Sequence, residues 1–189
     1  NVSRRYIGIT DENLCPKGQE ILNENIKNRM YPMADIVFSS TMKRCVQTAK
    51  IIYPEKDILK EELLKECDFG IFEGKTYEEL LEVPEFPLFH HDTTDHYVIP
   101  QGESREMFRT RVLLGWQKLL GFHRLKELSH RHSGLPAVSI VICHGGVIDR
   151  IMHAIFGKKE DLRYQWTPET GHGYMIILEN SEPARYEAF

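Results

Sequence analysis

No apolar run in the sequence approaches the roughly 18 residues that a membrane-spanning helix needs. Nothing near the first residue reads as a signal peptide. The cytosol is therefore the expected compartment, and no membrane partner is expected. Cysteine is scarce: the four, Cys15, Cys45, Cys67 and Cys143, stand far apart and form no CxxC pair. That spacing argues against a zinc site or a disulfide framework and for reduced, partly buried thiols. Basic excess is also absent. A net charge of -4 gives no footing for non-specific nucleic-acid binding, although a local cluster of cations can still hold a small anion. Internal repeats are missing. The stretch "EVPEFPLFHHDTTDHYVIP" contains neither lysine nor arginine.

What is present suits a globular protein. The 189 residues, 41% hydrophobic and 28% charged, fit one domain spanning 1–189. "ADIVFSSTMKRCVQTAKII" reads as strand, turn and helix: Ile36 to Phe38 is β-prone, and Ser39, Ser40 and Thr41 are N-cap types. Cys45, Ala49 and Ile52 then recur at helical spacing. "PAVSIVICHGGVIDRIMHAIFG" repeats the plan, with a strand over Val138–Cys143 and a helix closed by Gly157. "CPKGQEILNENIKNRM" predicts an amphipathic helix with Ile21, Leu22 and Ile26 on its apolar face. "REMFRTRVLLGWQKLLGFHRL" predicts another, and "GYMIILEN" a last strand. Alternating strands and helices predict a three-layer α/β/α sandwich with a mainly parallel central sheet. Ligands bind such sheets beyond the carboxyl ends of the strands, where both "SST" and "HGG" fall. Residues 82–104, with Pro84, Pro87 and Pro100, break both patterns and read as a substrate loop or lid.

Three candidate residues gather at those strand ends. His144 ends a buried strand and is followed by two glycines, which let a ligand approach the backbone, and by a helix start, which favours anions. Arg44 lies one turn into a helix that faces the same crevice and can fork onto a phosphate. Glu66, in "LLKECDFGIFEGKTYEEL", is a candidate general acid. The cluster "FHHDTTDH" matches no standard metal site, so no metal or other cofactor is expected. His172 opens the last strand near the crevice. Glu103 and Ser104 read as a helix start.

In this order the motifs resemble the histidine phosphatase superfamily, which includes phosphoglycerate mutases and α-ribazole phosphatases. "NVSRRYIGITDENLCPKGQE" resembles the segment after the family's first motif. "FSSTMKRCVQTA" resembles its second arginine motif and "LKECDFGIFEG" its acid motif. "PQGESREMFRTRV" and "VICHGGVIDRI" resemble the last two. The resemblance implies a strand ending in Arg-His-Gly, whose histidine is the nucleophile, a few residues before Asn1 and in the middle of the sheet. It implies that Arg44 and His144 hold phosphate oxygens, that Glu66 moves a proton, and that Asn1 and the backbone at Gly8 and Gly145 help hold phosphate or substrate. The expected activity is a phosphatase acting on a small phosphorylated metabolite through a phosphohistidine. Mutase-type phosphoryl transfer is the first alternative, disfavoured because the 82–104 segment lacks the cations that would retain a second phosphate. A non-catalytic binder of phosphoryl ligands is the second, if the chain begins at Asn1. Beyond the metabolite, a second copy of the chain as a homodimer is the remaining expected partner.

Overall fold

The computed structural model describes residues 4–132, 134–158 and 164–189. Its centre is a parallel sheet of three strands in the order β2 (Ile58–Glu61), β1 (Ile36–Ser40), β3 (Ser139–Ile142). β1 pairs with both neighbours, Val37 opposite Ile58 on one side and Ile140 on the other. Side chains of a strand alternate between faces, and the core divides accordingly. Val37 packs with Ala34 and Ala49, against Ile58, Ile140 and Ile142. Phe38 packs on the other face with Leu64, Phe108, Val112 and Val147. Ala49 brings α2 (Lys43–Ile52) to the first face, with α1 (Pro16–Lys27) lying against α2. Phe108 and Val147 bring α5 (Arg105–His130) and α6 (Gly145–Phe156) to the second. Helices therefore cover both faces of the sheet, as the alternation of elements predicts.

Several details differ from the sequence-based expectation. Ser39 and Ser40 are fully buried strand residues rather than caps, and α2 starts after Met42 with no side-chain cap. In α1, Leu22 is buried, while Ile26 is 37% exposed, too open for a core position. The last strand, β4 (Tyr174–Glu179), is joined by an unforeseen β5 (Glu182–Ala188) in an antiparallel hairpin. That hairpin shares no ladder with the parallel sheet among the described residues. β3 and β4 instead both line a cavity of about 1350 Å³.

Residues 82–104 are also more ordered than a loose lid. α3 (Tyr77–Leu80) precedes the segment, and α4 (Phe86–His90) lies within it and takes Pro87 into its first turn. Phe72, Leu80, Phe86, Phe89 and Ile99 bury one another in a small second core. The prolines interrupt regular hydrogen bonding, but the aromatic residues between them supply enough apolar surface to fix the segment.

Candidate active site

His144 is the N-cap of α6 and follows directly on Cys143 at the end of β3. It is 7% exposed. Arg44 Nε donates to its Nδ1 at 3.2 Å. A guanidinium only donates, so Nδ1 is the accepting nitrogen and the neutral ring carries its proton on Nε2, facing Ser40 Oγ at 3.0 Å. Burial, with Arg44 and Arg111 nearby, pushes the imidazole down to about 3. The ring is therefore neutral at physiological pH, and this tautomer follows from its hydrogen bonds.

Arg44 reaches further. Its Nη2 donates to the Gly8 carbonyl at 2.7 Å and its Nη1 to the Thr10 carbonyl at 2.9 Å. Those carbonyls belong to a turn held by Glu73. The Gly8 N–H lies 3.1 Å from both Glu73 carboxylate oxygens, and Thr10 Oγ1 donates to one of them at 2.6 Å. Only glycine fits at position 8, because a Cβ there would stand 1.7 Å from the Cys67 carbonyl oxygen. The amide of Gly8, expected to help hold phosphate, is thus committed to Glu73 in this arrangement.

Glu66 stands opposite the start of α6. The residue is partly exposed. The Gly146 N–H donates to Oε2 at 3.1 Å, and the Cys67 N–H donates to Oε1 at 3.0 Å. A Cβ on Gly146 would come within 2.4 Å of Oε1. The second glycine of "HGG" is therefore needed so that the acid can reach the helix terminus. Burial raises the carboxyl above its ordinary value; the two N–H donors, Arg44 and Arg111 pull it down but do not win. Gly145 lines the same cavity as Arg44, Glu66 and His144. Asn1 lies outside the described residues.

Sequence reasoning missed the brace behind Glu66. Arg111 donates to the carbonyls of Leu63 and Lys65 through Nη1 at 3.0 and 2.7 Å, and to that of Glu66 through Nη2 at 2.7 Å. Its remaining donors fork onto Glu103, at 3.0 and 2.6 Å. Glu103, read as a helix-start residue, also accepts from the Asp68 N–H at 2.8 Å. Ser104 does cap α5, accepting from the Met107 N–H at 3.1 Å. A visible signal for the brace was an arginine two helical turns beyond a cap, on the face that carries Phe108. Ser40 was missed because a strand-end serine reads as a cap.

The other candidates make no hydrogen bond with Arg44, His144 or Glu66 among the described residues. His172 lines the cavity but is held to the Thr170 carbonyl at 3.2 Å. Asp92 folds back on Thr94 and Tyr97, and no group of histidine, cysteine, aspartate and glutamate able to hold a metal occurs among the described residues. The thiols near His144 stay protonated, since burial pushes Cys45 up to about 12. Among the described residues, no helix is long and apolar enough to cross a membrane.

Known proteins share this fold. The model of the histidine phosphatase superfamily (branch 1) matches residues 1–184. Among solved structures, Bacillus stearothermophilus YhfR is similar at 27% identity, with a TM-score of 0.71 over 100% of this chain and 88% of that one. The alpha-ribazole phosphatase from Shigella flexneri shares the fold at 21% identity, with a TM-score of 0.74 over 98% and 88%. The phosphoglycerate mutase from Thermus thermophilus is similar at 25% identity, with a TM-score of 0.58 over 82% and 77%. No curated protein matches the chain in sequence.

Proposed function

The chain belongs to the histidine phosphatase superfamily, branch 1, and from that premise we propose that it hydrolyses a small phosphorylated metabolite through a phosphohistidine intermediate. Phosphoryl-transfer chemistry follows from the superfamily; hydrolysis of a metabolite is the finer reading. The observation that carries it is the convergence of Arg44, neutral His144 and a Glu66 carboxyl biased toward its protonated form at one end of the sheet.

In this reading the nucleophilic imidazole comes from the strand that the resemblance sets before Asn1. Its nitrogen attacks phosphorus, an N–P bond forms, and the bond to the leaving oxygen breaks. Glu66 gives its proton to that oxygen. Water then attacks the phosphohistidine and passes a proton to Glu66; the N–P bond breaks and phosphate leaves. Arg44 and His144 steady the equatorial oxygens and stabilise the charge that develops on them, His144 by turning its Nε2 proton from Ser40 Oγ to a phosphate oxygen. For Arg44 this means exchanging the carbonyls of Gly8 and Thr10 for phosphate oxygens, which bind a guanidinium more strongly.

Hydrolysis is favoured over mutase transfer because the 82–104 segment itself carries no lysine or arginine, which leaves few cations to keep a phosphorylated product in place for a second transfer. The test is to follow the full-length protein with a labelled phosphomonoester in the presence of a millimolar hydroxylated acceptor such as a phosphoglycerate. The expected result is label in inorganic phosphate. Label appearing mainly in the acceptor would replace this reading by the mutase.

A further inference from the structure

Arg105 is a buried cation that the proposed chemistry does not use. It opens α5 directly after the cap Ser104 and is 5% exposed. A charge taken from water normally fills its donors. Here Nη1 alone is engaged, 3.3 Å from the Asp92 carbonyl and 3.9 Å from Asp95 Oδ1. Nε is buried and has no acceptor, and among the described residues nothing accepts from Nη2. The unused Nε–Nη2 edge is one of the two forks by which a guanidinium grips a carboxylate or phosphate. The guanidinium is also stacked 3.8 Å from the centre of the Phe89 ring, which holds its plane. Arg105, Phe89 and Phe69 line the same cavity as Arg44, Glu66 and His144.

We propose that Arg105, stacked on Phe89, forms a second anion subsite that holds a carboxylate or phosphate on the leaving-group side of the substrate. The substrate class is then a phosphomonoester whose alcohol carries a second anionic group. The inference deepens the phosphatase reading and rests on it for the position of the first phosphate. It also explains how a segment without cations borders a charged substrate: the cation stands one residue beyond it, on a helix. A ligand oxygen at Nε would satisfy a donor that is otherwise both unsolvated and unpaired.

The test compares Arg105→Gln and the volume-filling Arg105→Met with the natural full-length protein. Matched substrates are 4-carboxyphenyl phosphate against its neutral carboxamide, and glycerol 1,3-bisphosphate against glycerol 1-phosphate. The carboxylate pair and the bisphosphate pair separate the two anion chemistries. The natural protein is expected to prefer the anion-bearing member of at least one pair by about tenfold or more in kcat/KM. Both variants should lose that preference while turning over the neutral carboxamide within about twofold of the natural rate. Equal losses on both members would make Arg105 a packing residue and overturn the subsite. So would a preference that survives substitution, or none in the natural protein. Affinity for the same ligands, read from thermal shifts, needs no turnover. A bisphosphate preference there that vanishes with Arg105 would keep the subsite even if no substrate were hydrolysed, which would count against the phosphatase reading alone.

Discussion

Glu66 and His144 both stand at the start of α6, and burial acts on both in the direction of neutrality. The acid is raised and the base is lowered, since a low-dielectric site disfavours either charge. In the proposed mechanism Glu66 holds a proton when the leaving oxygen departs, and this environment supplies that bias before substrate arrives. Glu66→Gln should therefore slow phosphorylation by alkyl phosphates by about 10²–10⁴-fold, the usual range for a general acid. Aryl phosphates with acidic leaving groups should lose much less in single-turnover experiments. Equal losses would assign Glu66 to shaping the pocket. The same variant has a signature in stability. A carboxyl raised on folding contributes stability that is present at low pH and is lost as pH rises from 4.5, its ordinary value, through its folded value. Gln cannot titrate, so urea midpoints of the two proteins should diverge in the variant's favour across that window, whatever fixed cost the lost acceptor adds. A constant difference between pH 4 and pH 8 would mean that Glu66 ionises in the fold as it does in water.

Arg111 belongs to the scale of elements, because it ties α5 to the segment that carries Glu66. It holds three carbonyls around the acid and the Glu103 carboxylate at once. Arg111→Met keeps the stem and removes these bonds. A loss of about 2–3 kcal/mol in unfolding free energy is expected, as for hydrogen bonds to a charged group, together with a fall in kcat larger than any rise in KM, because the acid moves while the phosphate contacts of Arg44 remain. A variant as stable and as active as the natural protein would show that the segment holds its place without α5. The four long helices α1, α2, α5 and α6 and the β1 and β3 strands were legible from periodicity, since Val37 and Phe38 face different cores and Ala49 recurs on the helical period. The brace was not legible. It joins residues far apart in sequence through backbone carbonyls, which no side-chain pattern records. β2 and β5 were also missed: "ILKE" carries two charges, and Glu182–Ala188 is mostly exposed, so neither shows a buried face.

At the scale of the molecule, the parallel sheet and the β4–β5 hairpin stand on either side of one cavity, with Arg44, His144 and Glu66 at its lining and Arg105 further along it. Glycines at positions 8 and 146 allow the close approaches that assemble this end of the sheet. His144 and Arg44 could be read as a pair from their places at two strand ends, whereas Arg105 could not, because its isolation depends on where Asp92, Asp95 and Phe89 fold. The central claim is that phosphate passes through a histidine of this protein on its way to water. Rapid quenching of the full-length protein with a radiolabelled phosphomonoester tests it most directly. Protein-bound label is expected to form before inorganic phosphate is released, to be lost in acid and to survive in alkali. Steady release of inorganic phosphate with no protein-bound label at any time, or label that survives acid and is lost in alkali, would contradict it.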